Sequence, residues 1–180
     1  RALSQVMQSE VKIALQNIDI KPLQEILKTY REDATYLKLT MNPLGEITGK
    51  LIILFSWEDG FKLVDVLEKR PAGITKNYDE RVQGVIKAVG NILSGAYMNA
   101  ITQSLGLSIQ ATMPELKFEK KNEIFAGMIK EYSALVTGAE YVPVIRAKLN
   151  LANANANCEI LLIPQMESLK RILHILGALK

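Results

Sequence analysis

Apolar residues between Asn77 and Leu105 recur at steps of three and four, the spacing that places them on one face of an α-helix. They are Val82, Val85, Ile86, Val89, Ile92, Leu93, Ala96, Tyr97, Ala100 and Ile101. The opposite face consists of small residues and one amide: Gly84, Ala88, Asn91, Gly95 and Thr102. A solvated helix face is normally charged, and an interior glycine costs about 1 kcal/mol relative to alanine. The pattern fits either a helix buried on both sides or a helix whose backbone a partner approaches closely.

The same patterns predict the remaining elements. Strands are expected at Val11–Ile20, Tyr36–Met41, Ile47–Phe55, Leu107–Phe118, Tyr141–Leu151 and Glu159–Ile163. Shorter helices are expected at Ala2–Ser9, Leu23–Tyr30, Phe61–Lys69, Ile124–Tyr132 and Met166–Leu176. Turns are expected at Asn42–Gly45 and Ala152–Asn157. A slip in the alternation at Gln16–Asn17 predicts a β-bulge, and Asn77 with Glu80 forms a capping-box pattern at the start of the long helix.

The order of predicted elements occurs twice along the chain, which indicates an internal repeat. The matching segments include Ala2–Gln5 with Ala100–Gln103, and Leu51–Leu54 with Ile160–Ile163. We therefore predict one α+β domain over residues 1–180, in which a half from 1 to 73 and a half from 74 to 180 are related by a pseudo-twofold axis. The halves are expected to share a mixed sheet of about six strands. In this alignment the counterpart of the long helix begins before residue 1, so the first helix of the first half is expected to be truncated.

Composition and charge narrow the class of protein. The chain is 48% apolar and 23% charged, as in ordinary globular proteins, and its net charge of +3 is spread along the sequence, which gives no support for nucleic-acid binding. The longest apolar run, Leu51–Phe55, is far shorter than the roughly 18 residues that span a membrane. Cys158 is the only cysteine, which excludes an intramolecular disulfide and a cysteine metal cluster. Without a secretory signal, we expect a cytoplasmic protein.

The sequence contains few groups suited to catalysis. It has neither of the glycine-rich phosphate-binding motifs of nucleotide-binding proteins. The single histidine, His174, is expected to have a structural role, and Cys158 is expected to fill the core. Asp59 and Asp65 are six residues apart and do not share a helix face, so a paired-carboxylate site is not supported. The carboxamide of Asn91 is the polar group best placed for chemistry.

Two stretches of the chain resemble the CheC-type phosphatases of bacterial and archaeal chemotaxis. The first is VGNILSGAYMNA at Val89–Ala100, followed by Met113–Leu116, which resembles the second half of these proteins. The second, which is similar to the first half, comprises Ala2–Leu15, Gly45–Phe55 and Phe61–Leu67. The resemblance covers nearly the whole chain, and related CheX-type and flagellar switch proteins share the same architecture.

The resemblance implies hydrolysis of the aspartyl phosphate of the response regulator CheY. Such a site has Asp or Ser, then Glu four residues later, then Asn three residues further, all on one helix face. The family's Asn orients the attacking water and its Glu pairs with a lysine of the regulator, which also holds Mg²⁺, so no cofactor of the phosphatase itself is expected. In this chain the pattern falls on Gly84, Ala88 and Asn91. Only Asn91 matches.

Two functions from different classes follow. In the first, the protein is a phosphatase of phosphorylated CheY, with Asn91 as a weak catalytic site and any strong site in the first-half helix. In the second, it is a non-catalytic module of the same fold that binds a response regulator, the deamidase CheD or a motor switch component. A scaffold that forms a homodimer is a third possibility. In each, Gly84, Ala88, Gly95 and Thr102 would contact the partner.

Overall fold

The fold is that of an α+β protein, seen here in a computed structural model that describes residues 11–22, 25, 28, 30–31, 33–135, 141–151 and 156–177. The strands are β1 (Val11–Pro22), β2 (Thr35–Met41), β3 (Pro43–Gly45), β4 (Gly49–Ser56), β5 (Ile109–Ala111), β6 (Glu115–Lys120), β7 (Tyr141–Leu151) and β8 (Ala156–Pro164). Within the described residues the helices are α1 (Trp57–Leu67), α2 (Glu80–Leu105), α3 (Lys121–Leu135) and α4 (Met166–Ile175). Among the described residues, every helix is too short or too polar to cross a membrane.

Six strands form one sheet in the order β1-β7-β8-β4-β2-β6. Every neighbouring pair in it is antiparallel. The expectation of a mixed sheet is therefore wrong, although the expected number of strands agrees. Strands β2 and β4, like β7 and β8, are joined by short connections, and a short connection returns the chain in the opposite direction. Strands β1 and β6 then pair with β7 and β2, again in antiparallel fashion.

Strand β4 lies near the middle of the sheet and is buried on both faces, as its apolar run predicts. On one face its side chains enter a core shared with α1, α2 and α4, and on the other face they contact α3. The first set is Leu51, Ile53 and Phe55. The second set is Ile52 and Leu54, which pack with Ile124 and Met128 of α3. The sheet is thus a middle layer, and α2 covers one of its faces.

The strand expected at Leu107–Phe118 is divided into two. Strand β5 leaves the main sheet and pairs with β3, where only a turn was expected, while β6 joins the main sheet beside β2. The break falls just before β6, at Pro114, which has no N–H group to donate to a ladder. The expected bulge in β1 is confirmed by a register shift between Leu15 and Ile18.

Both ends of α2 are capped by single residues. The side chain of Asp79 accepts a hydrogen bond from the Val82 N–H at 2.9 Å, so Asp79 is the N-cap and the assignment of that role to Asn77 is wrong. Asp79 is the last residue with extended backbone, which makes it the position from which a side chain reaches the free N–H groups. Gly106 ends the helix in the left-handed conformation, as predicted, and its N–H donates to Thr102 O at 2.8 Å.

The segment between α1 and α2 is tied to a buried carboxylate. Asp65 accepts hydrogen bonds from the Gly73 N–H at 2.8 Å, from the Thr75 N–H at 3.1 Å and from the Thr75 hydroxyl. Arg81, in the first turn of α2, donates to Thr75 Oγ1 at 3.2 Å and also pairs with Glu68. Burial alone would raise the pKa of Asp65, but the hydrogen bonds from Thr75 and Gly73 outweigh it and lower that pKa below its ordinary value. These contacts fix where α2 begins.

Three expectations concern residues that are wholly or largely outside the described set. They are the helix at Ala2–Ser9, most of the helix at Leu23–Tyr30, and residues 152–155 of the expected turn before β8.

Candidate functional site

Helix α2 is buried on one face and exposed on the other. Its buried residues include Val82, Ile86, Val89, Gly90, Leu93, Ser94, Tyr97, Met98 and Ile101. On the opposite face Gly84, Asn91 and Gly95 are exposed, and Ala88 and Thr102 are half-buried. The hypothesis of a helix packed on both sides is therefore wrong, and the face of small residues is open to solvent or to a partner.

The glycines of α2 have two different roles. Gly90 faces the core, where an added Cβ would lie 2.6 Å from Leu39 Cδ1, so this glycine allows the helix to pack closely on β2. An added Cβ at Gly84 or Gly95 would meet no atom within 4 Å. Packing within the described part of the chain therefore explains Gly90 and leaves Gly84 and Gly95 unexplained.

Replacing Gly84 or Gly95 with alanine is expected to stabilise the protein by about 0.5–1 kcal/mol each, because alanine loses less backbone entropy in a helix and finds open space there. Urea unfolding of each variant measures the change. Gly90→Ala is the matched control, and it is expected to destabilise because Leu39 must move. If Gly84→Ala or Gly95→Ala lowers the free energy of unfolding, the exposed face is in contact with something that the described residues do not include.

The carboxamide of Asn91 is the functional group at the centre of the exposed face. Its Nδ2 lies 3.9 Å from Sδ of Met113, at the long end of the range for a contact to sulfur. Its backbone carbonyl accepts a hydrogen bond from Ser94 Oγ at 3.0 Å, and this hydrogen bond does not involve the carboxamide. A carboxamide has both donor and acceptor atoms and does not titrate. It is therefore suited to orienting a water molecule and unsuited to exchanging a proton with it.

The other predicted site residues supply no functional group near Asn91. Gly84, Ala88 and Asn91 lie along one face, as their spacing predicts, but Ala88 presents a methyl group where a carboxylate would be expected. Gly95 is one turn beyond Asn91 and has no side chain. Thr102 is 11 residues from Asn91, about 16 Å along the axis at 1.5 Å per residue, so the two do not belong to one small site.

Met113 is the residue that the sequence patterns misplace. They assign it to a strand, but it lies in the break between β5 and β6, where its side chain is 77% exposed and next to Asn91. Pro114 was the available signal, since a proline rarely occurs inside a paired strand.

The other side chains with reactive groups lie in the core, on α4 or on α1. Cys158 and Tyr97 are buried in the core, and burial raises the pKa of both groups. This confirms Cys158 as a core residue. His174 is exposed on α4. Asp59 accepts a hydrogen bond from the Asn157 N–H at 3.3 Å, whereas Asp65 accepts hydrogen bonds from Gly73 and Thr75. Within the described ranges, no group of three or more His, Cys, Asp or Glu side chains is arranged to hold a metal ion.

With its antiparallel six-stranded sheet and a long helix across one face, the chain has the CheC/CheX/FliM–FliY fold, which is found in chemotaxis and flagellar switch proteins. The resemblance noted in the sequence is thereby confirmed at the level of the fold. No family model matches the chain.

Three solved structures illustrate the similarity. FliY from Thermotoga maritima has 10% sequence identity and a TM-score of 0.71, with 98% of this chain and 87% of FliY aligned. FliM from H. pylori, in a complex with SpeE, has 13% identity and a TM-score of 0.57 over 98% of this chain and 84% of FliM. CheX from Borrelia burgdorferi, in a complex with CheY, BeF3 and Mg²⁺, has 14% identity and a TM-score of 0.50 over 91% and 93%.

Proposed function

We propose that the protein binds a phosphorylated response regulator of the CheY type through the exposed face of α2, and that Asn91 assists hydrolysis of the regulator's aspartyl phosphate. The observation that supports this proposal best is the position of Asn91, an exposed carboxamide on a helix. Its neighbours Ala88 and Gly95 are too small to obstruct a partner. The structure of CheX in complex with CheY supports the class of partner.

In this mechanism the protein contributes positioning. Because Gly84 and Gly95 present only backbone, a loop of the regulator is able to approach the helix until Asn91 lies beside the phosphoryl group. The carboxamide oxygen then accepts a hydrogen bond from the attacking water, which is held in line with the bond to be broken. Mg²⁺ bound to the regulator would neutralise charge on the phosphoryl oxygens. The protein itself needs no titrating group for this task.

The proposed activity is weak. Ala88 lacks the carboxylate that would anchor a lysine of the regulator, and a charge-assisted contact of this kind is worth about 1.5–3 kcal/mol. The Asn91 carboxamide is still available to orient the attacking water. The protein is therefore expected to shorten the lifetime of the aspartyl phosphate modestly.

Loss of phosphate from labelled CheY-phosphate tests the proposal. With the wild-type protein in excess, the rate is expected to rise about tenfold above self-hydrolysis, because Asn91 positions the water without the charged anchor. Asn91→Ala should return the rate to that of self-hydrolysis while leaving the free energy of unfolding nearly unchanged, since the side chain is exposed.

The matched control is Asn99→Ala, which removes an exposed amide two turns further along the same helix. It is expected to leave the rate unchanged. Equal rates for wild type and Asn91→Ala would exclude a catalytic role for Asn91.

A non-catalytic binding module is the second candidate function, and the absence of polar side chains at Gly84 and Ala88 favours it. Similarity to FliY and FliM is compatible with a switch component as partner. This function predicts that the protein binds the regulator without accelerating loss of phosphate. Binding of CheD and self-association through the same face stay predictions.

The strand order supports the predicted duplication, which we propose for this chain. Residues 1–73 supply β1, β2 and β4, and residues 74–180 supply β6, β7 and β8. The first strand of each set pairs with the second strand of the other set, and the third strands pair with each other at the centre. Exchanging the two sets leaves the order unchanged, as a pseudo-twofold axis requires.

A further inference from the structure

We propose that Met113 is a positioning residue that holds the Asn91 carboxamide in one orientation. The inference rests on the proposed function for its kinetic consequence, and on side-chain geometry for the contact itself. Sδ of Met113 lies 3.9 Å from Nδ2 of Asn91 and is placed to accept a hydrogen bond from one of its two N–H groups. With the amide nitrogen engaged by Met113, the carboxamide oxygen is left to accept a hydrogen bond from another group.

The helix itself does little to orient this side chain. The residues one turn from Asn91 on either side are Lys87, Ala88, Ser94 and Gly95. Ala88 and Gly95 have no polar side-chain atoms, and in the described part of the chain no hydrogen bond joins Lys87 to Asn91. Ser94 is three residues after Asn91, but its hydroxyl donates to the Asn91 backbone carbonyl. An exposed asparagine in this setting would sample several rotamers. A group from outside the helix is needed to select one.

The backbone beside Met113 is held firmly enough to serve this purpose. The Asn42 N–H donates to Thr112 Oγ1 at 2.9 Å, and the Thr112 N–H donates to Asn42 O at 3.0 Å. On the other side Pro114 is buried, and its ring fixes one backbone dihedral angle. Met113 nevertheless remains 77% exposed. Packing in the core therefore does not account for the position of its side chain, which these backbone contacts place beside Asn91.

Side-chain amide NMR on the free protein tests the contact without any regulator. The resonances of Asn91 are assigned by their loss in Asn91→Asp. In wild type the order parameter of this amide is expected to exceed about 0.6, the level below which a group counts as flexible, and to fall below it in Met113→Leu. Leucine keeps the apolar bulk but has no acceptor. Met166→Leu, at a half-exposed methionine on α4, is the control and should change nothing.

Kinetics with CheY-phosphate then separate positioning from partner contact. Met113→Leu is expected to lower kcat about threefold, less than the roughly tenfold loss expected for Asn91→Ala, with KM nearly unchanged. An increase in KM at constant kcat would overturn the proposal in favour of an apolar contact with the regulator. An Asn91 amide equally ordered in wild type and Met113→Leu would also overturn it. If wild type does not accelerate dephosphorylation, the proposed function fails, and the NMR comparison still decides whether Met113 orders Asn91.

Discussion

Replacing Ala88 with glutamate is expected to raise kcat/KM for CheY-phosphate about 10- to 100-fold. The change restores a carboxylate one turn before Asn91, on the same exposed face, where it would pair with a lysine of the regulator. A charge-assisted hydrogen bond is worth about 1.5–3 kcal/mol, which corresponds to this range of rates. Ala88 is half-buried and lies within α2, and glutamate forms helices well, so the protein is expected to tolerate the change.

Two variants distinguish a restored anchor from a simple change of charge or volume. Ala88→Gln adds nearly the same volume without the charge, and Gly95→Glu adds the same charge one turn beyond Asn91 rather than before it. Both are expected to gain little or nothing. The gain in Ala88→Glu should also shrink as ionic strength rises, because exposed ion pairs are screened. Equal gains in Ala88→Glu and Gly95→Glu would mean that the site does not use the spacing on which the proposal depends.

The second large effect concerns Asp65 and stability. Asp65→Asn is expected to lower the free energy of unfolding by about 3 kcal/mol, a large part of the 5–15 kcal/mol typical of a domain. The substitution replaces one acceptor oxygen by a donor NH₂ group that faces the N–H groups of Gly73 or Thr75. Urea unfolding at neutral pH measures the loss. Asp33→Asn, at an exposed aspartate, is the matched control and should change stability by less than about 0.5 kcal/mol.

The same carboxylate makes stability depend on pH in a defined direction. Because its pKa is lower in the folded protein than its ordinary value of 3.8, the folded state binds fewer protons and is favoured above that pH. The stabilisation is then lost as the pH falls from 3.8 through the folded-state pKa. The difference in stability between wild type and Asp65→Asn should therefore shrink in acid. A difference that stays constant down to the acid transition would show that the carboxylate is not the group responsible.

Much of the fold could be predicted from the sequence because the residues that the apolar spacing assigns to the core are the ones that are buried. The stripe on α2 includes Val82, Ile86 and Val89, which are fully buried. The apolar run of β4 is buried on both sides of the sheet. These features depend on local spacing, which a sequence displays directly.

The features that escaped prediction depend on how distant segments meet. Asp65 lies on α1, and nothing in its spacing indicates that residues 73–75 fold back onto it. Strand β5 pairs with β3 because the chain leaves the main sheet before Pro114, and this departure also brings Met113 to Asn91. The N-cap was misassigned because Asn77 and Asp79 are both good capping residues, and only backbone geometry distinguishes them.

The order of the strands has a consequence for how the chain acquires its structure. Val11 of β1 pairs with Leu151 of β7, and Leu51 of β4 pairs with Leu162 of β8, so the central ladder and one edge ladder join residues more than a hundred positions apart. Such a topology has a high contact order, which slows folding, since long loops must close before the contacts that stabilise them form. Neither set of three strands has a contiguous sheet of its own. An emerging chain would therefore complete its sheet only after β8 had been synthesised, and until then its unpaired strands would be substrates for chaperones.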